Sequence, residues 1–235
     1  MLVFGTRPEA IKMAPLVHSL LAEPEQFEVK VCVTGQHRQM LDQVLRVFEI
    51  TPTIDLNLMK PGQDLFDLNA SILLAMRDVF KIHYPDVVLV HGDTTTTLAT
   101  ATASFYAGIP IGHVEAGLRT HDIFSPFPEE FNRQSVSKLA NWHFAPTTLS
   151  KENLLKEGVI ESAITVTGNT VIDALHWILA RIETNYQRRA ALILKLSNDL
   201  PFDWLTKRFV LVTGHRRESF GDGFLQICAA IADLA

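Results

Sequence analysis

The feature that most constrains how this chain can fold is an alternation. Short, β-branched apolar runs follow one another along the sequence, with helix-length amphipathic segments between them. Leu2–Phe4, Val29–Thr34, Val87–Val90, Ile111–Val114, Trp142–Ala145, Ile164–Thr167 and Phe209–Thr213 read as strands. Between them, Pro8–Leu21 repeats apolar residues at Ala10, Ile11, Ala14, Val17, Leu20 and Leu21, the spacing of one helical face. Pro8 suits a first helical turn, while Pro15 is expected to bend the helix. Further helices are predicted at Arg38–Phe48, Leu65–His83, Thr96–Tyr106, Glu129–Leu139, Thr148–Glu157, Val171–Glu183 and Gly223–Leu234. Strand–helix alternation of this kind implies an α/β fold, a parallel sheet covered by helices on both faces. Right-handed crossovers favour an open, doubly wound Rossmann-like sheet, with a closed barrel as the competing solution.

The pattern changes after Val171–Glu183. A polar stretch, 184–208, containing Asn-Asp-Leu-Pro at 198–201, separates a first region, 1–183, from a second, 209–235, which opens with a new strand. The chain ends at Ala235 inside a helical pattern with no capping residue. The second region is therefore expected to be incomplete, and the segment after about Thr184 mobile or packed against another chain.

Doubly wound sheets bind ligands at the carboxyl ends of their strands, and in this sequence unusual polar residues follow strand after strand. The endings are Gly5-Thr6-Arg7-Pro8-Glu9, Gly35-Gln36-His37-Arg38, His91-Gly92-Asp93-Thr94, His113-Val114-Glu115 with Arg119 beyond, and Gly214-His215-Arg216-Arg217-Glu218. Arg7, at the positive end of the first helix, and Lys12, one turn on, make either an anion site or merely solvated surface charge. Asp93 reads equally as a cap for the next helix and as a catalytic carboxylate. Glu115 ends an apolar strand and so needs a partner or a task. Glu129 and Glu130, after Ser-Pro-Phe-Pro, sit where the helix dipole alone favours negative charge. His215 between glycine and two arginines is a candidate for holding a phosphate or moving a proton.

Composition narrows the function class. Lys and Arg total 21 against 26 Asp and Glu, a net charge of -5, which argues against a nucleic-acid partner that needs a broad basic surface. Charges interrupt every apolar run before membrane-spanning length, and the N-terminus lacks a secretory pattern, so a cytoplasmic protein with no membrane partner is expected. Cys32 and Cys228 both read as core residues, and no Cys/His spacing suggests a metal. From the residues alone, the reading is an anionic-ligand cleft with several carboxylates and a histidine, its substrate unspecified.

Seven motifs carry a more specific resemblance. GTRPEAIKMAPLV (5–17), TGQHRQMLDQVL (34–45), HGDTTTT (91–97), HVEAGLRT (113–120), PFPEEFNRQ (126–134), GNTVIDAL (168–175) and VTGHRRESFGDGF (212–224) resemble, in order and spacing, the non-hydrolysing UDP-N-acetylglucosamine 2-epimerases. The resemblance implies two Rossmann-like domains, similar to the glycosyltransferase B architecture, with the active site in the cleft. It implies interconversion of UDP-GlcNAc and UDP-ManNAc for surface polysaccharides, by elimination of UDP to a 2-acetamidoglucal and re-addition with a proton on the opposite face. No metal or nicotinamide cofactor is implied, and a homodimer is. Asp93, Glu115, Glu129 and His215 match the acid–base positions, and Arg7, Lys12, Arg133 and His215 match substrate-binding ones. Gln36, His37, Gln39 and Gln63 match a site at which UDP-GlcNAc acts as an allosteric activator. The family's second domain continues past residue 235 and carries a Ser-Gly-Gly phosphate loop that this sequence lacks. Three alternatives remain: a hydrolysing epimerase releasing ManNAc and UDP, a glycosyltransferase of the same architecture, and a silent fragment that binds sugar nucleotide.

Overall fold

The computed structural model describes residues 1–35, 38–60, 62–212 and 221–234. In chain order these form β1 (Leu2–Phe4), α1 (Arg7–Leu21), β2 (Val31–Val33), α2 (Arg38–Val47), β3 (Ile54–Asp55), α3 (Leu65–Ile82), β4 (Val88–His91) and α4 (Thr95–Tyr106). There follow β5 (Ile111–Val114), α5 (Glu129–Leu139), β6 (Trp142–Ala145), α6 (Thr148–Lys156), a 3-10 turn at Glu161–Ala163, β7 (Ile164–Val166), α7 (Thr170–Thr184), α8 (Tyr186–Asp199) and α9 (Asp222–Leu234).

The strands make one parallel sheet in the order β3-β2-β1-β4-β5-β6-β7. It is open, with β3 and β7 at its edges, so the barrel alternative falls. The order reverses between β1 and β4, which makes their carboxyl ends the switch point of a doubly wound Rossmann-like sheet.

Alternation along the strands builds two cores. Leu2 and Phe4 of β1 join Val31 and Val33 on one face, beneath Met13, Ala14 and Val17 of α1 and Leu41 and Val44 of α2. Val3, Cys32, Val88, Val90 and Ile111 point to the other face, against Ile72 and Met76 of α3, Ala99 and Ala103 of α4, and Val136 of α5. A sheet apolar on both faces must be covered on both, and the period of two sorts the residues between the layers.

Starts of helices follow local rules. Thr6 caps α1 in a capping box: its hydroxyl accepts from Glu9 N–H, while the Glu9 carboxylate accepts from Thr6 N–H. The cap of α4 is Thr94, whose hydroxyl accepts from Thr97 N–H, so the reading of Asp93 as that cap is corrected. Thr96, Thr97 and Thr100 are buried, as expected of a threonine run packing inward.

Three elements differ from expectation. The two-residue β3 is too short to show a period in sequence. Residues 186–199, taken for part of a polar connection, are helical, begun by Asn185 accepting from Arg188 N–H. The strand expected at Phe209–Thr213 is absent over 209–212, and Thr213 lies outside the described residues. The chain divides into two compact units, Met1–Arg181 and Ile182–Ala235. Among the described residues, no helix is long and apolar enough to cross a membrane.

Candidate active site

Parallel strands bring their carboxyl ends to one edge, and Gly5, Gly92-Asp93 and Glu115 all follow strands there. At Gly5 the layers touch: an added Cβ would lie 2.0 Å from Thr34 Oγ1 and 2.5 Å from Thr96 Oγ1. Only glycine admits this approach of β1 to α4.

Glu115 sits just beyond β5 with φ 62, a left-handed conformation that costs a non-glycine residue about 1–3 kcal/mol. Its partner is Lys12 of α1, whose Nζ lies 2.7 Å from Oε1 and 2.5 Å from Oε2. Lys12 therefore reaches from its helix to a carboxylate beyond β5. Arg7 is exposed at the start of α1. Near the pair, His91 Nε2 lies 3.9 Å from Glu115 Oε2 and makes no hydrogen bond among the described residues. Burial, with Lys12 and His113 nearby, pushes His91 down to about 3.

Asp93 leaves the end of β4 and pairs with Arg133 of α5, Oδ2 to guanidinium at 2.6 Å. Arg133 also faces Glu130 at 3.4 Å. Burial raises the Asp93 carboxyl above its ordinary range, against the pull of Arg133, and the neighbouring Glu129 and Glu115 raise it further. Glu129 opens α5, and its buried Oε2 has no hydrogen-bond partner among the described residues. A polar atom left this way in a buried setting is costly. Glu130 is fully buried and serves the fold: it accepts from Thr120 N–H and from Gln134 Nε2. The first-turn pair thus splits, with Glu130 buried in the scaffold and Glu129 beside Asp93.

Asp93, Glu115, Glu129, Lys12 and Arg133 are gathered at one edge. His215, Gln36 and His37 lie outside the described residues. Gln39 is exposed in the first turn of α2, and Gln63 accepts from Lys60 N–H at 2.8 Å in the turn before α3.

Reading the sequence missed a buried supporting set. Glu9 is 2% exposed. Its Oε2 accepts from the N–H groups of Gly5 and Thr6, and its Oε1 from the Thr94 hydroxyl at 2.7 Å. One carboxylate thereby ties the loop after β1 to the loop after β4, across the switch point. Burial, its leading influence, raises the Glu9 carboxyl above the usual range despite these donors. The sequence signal was present: Thr-x-x-Glu is the capping-box pattern. Among the described residues no cluster of His, Cys, Asp and Glu could hold a metal ion.

Comparison with known proteins bears on the family and the fold. A family model described as UDP-N-acetylglucosamine 2-epimerase matches residues 19–235. The UDP-N-acetylglucosamine 2-epimerase of Escherichia coli K12 is 57% identical over 233 residues, which is 99% of this chain and 61% of its own length. The protein of that name from Campylobacter jejuni is 52% identical, over 100% of this chain and 61% of its own. Among solved structures, UDP-GlcNAc 2-epimerase from Neisseria meningitidis bound to UDP-GlcNAc matches with a TM-score of 0.89 and 48% identity, over 100% of this chain and 62% of that one. The Methanocaldococcus jannaschii UDP-GlcNAc 2-epimerase in complex with UDP-GlcNAc and UDP gives a TM-score of 0.72 at 34% identity, over 80% and 51%. This chain thus spans about three-fifths of the length of the curated relatives it matches. With a model matched over most of its residues and a sheet edge that gathers the expected carboxylates, the chain belongs to the UDP-N-acetylglucosamine 2-epimerase family.

Proposed function

We propose that this chain supplies the acid–base residues of an enzyme that interconverts UDP-GlcNAc and UDP-ManNAc without net hydrolysis. The observation that carries the reading is the setting of Asp93: a carboxyl raised by burial, paired with Arg133, beside the carboxylates Glu115 and Glu129. Inversion at C2 needs two proton carriers, one for each face of the sugar. One carrier removes the C2 proton as the C1–O bond to UDP breaks, leaving a C1=C2 double bond. Re-addition of UDP at C1, with protonation of C2 from the other face, completes the epimerisation. Carboxyls set in different environments are suited to such divided work. Asp93, Glu115 and Glu129 are the carriers in this reading, with His215. Arg7 and His215 offset charge on the departing UDP, which grows in the transition state, while Lys12 and Arg133 line the substrate cleft. The proposal extends to a homodimer and to UDP-GlcNAc as an activator at Gln36, His37, Gln39 and Gln63.

The test is product analysis by NMR, with the full polypeptide that contains this chain, UDP-GlcNAc and deuterated water. The expected outcome is UDP-ManNAc with deuterium at C2. Free ManNAc and UDP would assign a hydrolysing epimerase, and reaction only with an added acceptor sugar would assign a transferase. A folded protein that leaves UDP-GlcNAc unchanged overturns the reading.

A further inference from the structure

Three consecutive carbonyls lead out of β4 to the candidate carboxylate, and a side chain from a different element holds each one. The Thr97 hydroxyl of α4 donates to His91 O at 2.5 Å, His113 Nε2 of β5 to Gly92 O at 2.7 Å, and Asn132 Nδ2 of α5 to Asp93 O at 2.8 Å. The donors are 0%, 0% and 3% exposed. Buried carbonyls need donors, so one such bond is ordinary. Three in succession from three elements fix where the turn lies, because it cannot shift without breaking at least one of them. Gly92 N–H also donates to Val114 O at 2.9 Å, and Gly92 has φ 67, in the left-handed region that favours glycine. The turn is therefore held at both ends of its central residue.

His113 is central to this arrangement. Its Nε2 faces a carbonyl, which only accepts, so Nε2 carries the proton. Its buried Nδ1 has no hydrogen-bond partner among the described residues, so there the Gly92 bond is what orients the ring's polar end. Burial pushes the ring down to about 4, so it is neutral at physiological pH.

We propose that His113 is a positioning residue for Asp93: through the Gly92 carbonyl it fixes the turn that presents this carboxyl at the sheet edge. The proposal rests on the reading of Asp93 as an acid–base group, and its test separates the two. In the full polypeptide, His113→Phe keeps the ring's bulk and removes the donor. His113→Gln keeps an N–H at similar reach. A misplaced catalytic group typically costs about 10- to 100-fold in rate, so His113→Phe is expected to lower kcat by that factor with KM little changed. It should also displace the pH–rate profile, and His113→Gln should restore both. Titration of the Asp93 carboxyl carbon by NMR, assigned by its loss in Asp93→Asn, reads the same displacement without any turnover. If His113→Phe fails to fold, His113→Asn, polar but too short to reach Gly92 O, is expected to give the same losses. Wild-type kcat and an unmoved Asp93 titration in the folded donorless variant overturn the proposal. If the wild type itself shows no epimerisation, the functional reading falls, and the Asp93 titration alone then decides whether His113 positions that carboxyl.

Discussion

Residues 111–114 and 209–212 are similar local sequences with opposite fates. Ile-Gly-His-Val forms β5 and is buried throughout, although it contains a glycine and a histidine. Phe-Val-Leu-Val is the stronger β-former, yet it makes no strand, with Val210 88% and Leu211 80% exposed. The difference lies in neighbours. β5 has β4 on one side and β6 on the other, so its backbone groups and both faces are engaged. None of the described residues from 182 onward pairs in a ladder. Helices repeat the contrast: α1 buries Glu9, Ala10, Met13, Ala14 and Val17, whereas α8 buries none of its residues. β-propensity expresses fit to a half-built surface, and without that surface it has nothing to act on.

If the first unit carries the chemistry, the largest effects belong to its edge. Asp93→Asn and Glu115→Gln in the full polypeptide are each expected to cut turnover by about 10² to 10⁴, roughly 2.7 to 5.5 kcal/mol of barrier, with the melting temperature near wild type. Steady-state kinetics on folded protein checks this, and near-wild-type turnover removes the residue from the mechanism.

A matched pair of truncations tests the stability side. Leu2→Ala, in a side chain 1% exposed, is expected to cost about 2–5 kcal/mol in urea unfolding of this chain. Leu211→Ala is expected to stay within about 0.5 kcal/mol. Similar costs at the two positions would erase the distinction between the regions.

Acid should act on the first unit through its buried histidines. Below pH 6.5 the unfolded chain protonates His113, while the folded chain resists until about 4. Stability from this group is therefore complete above pH 6.5 and falls as the pH drops toward 4. The loss is about 2 kcal/mol between pH 6.5 and 5, at roughly 1.4 kcal/mol per unit. The carboxyls of buried Glu9 and half-buried Asp93, raised in the folded state, oppose this trend. The clean measurement is thus the difference in pH slope between wild type and His113→Gln, and equal slopes would remove His113 from the acid response.

The sequence by itself determined the order of most elements of the first unit, the parallel sheet and the edge at which polar residues collect. Those follow from periodicity and from the rule that parallel strands point their carboxyl ends one way. It also singled out Asp93 and Glu115, because carboxylates after apolar strands are conspicuous, whereas Glu129 came only with the family resemblance. Tertiary structure alone decided who pairs with whom. Lys12 meets Glu115 across 103 residues of sequence, and Arg133 meets Asp93 across 40. Thr94, not Asp93, became the cap, and Glu130, not Glu129, became the buried scaffold group. Such choices turn on ångström differences in where two distant elements meet, and no local window of sequence contains them. The same holds for Phe209–Val212, whose pattern promises a strand but whose backbone needs a neighbouring ladder to become one.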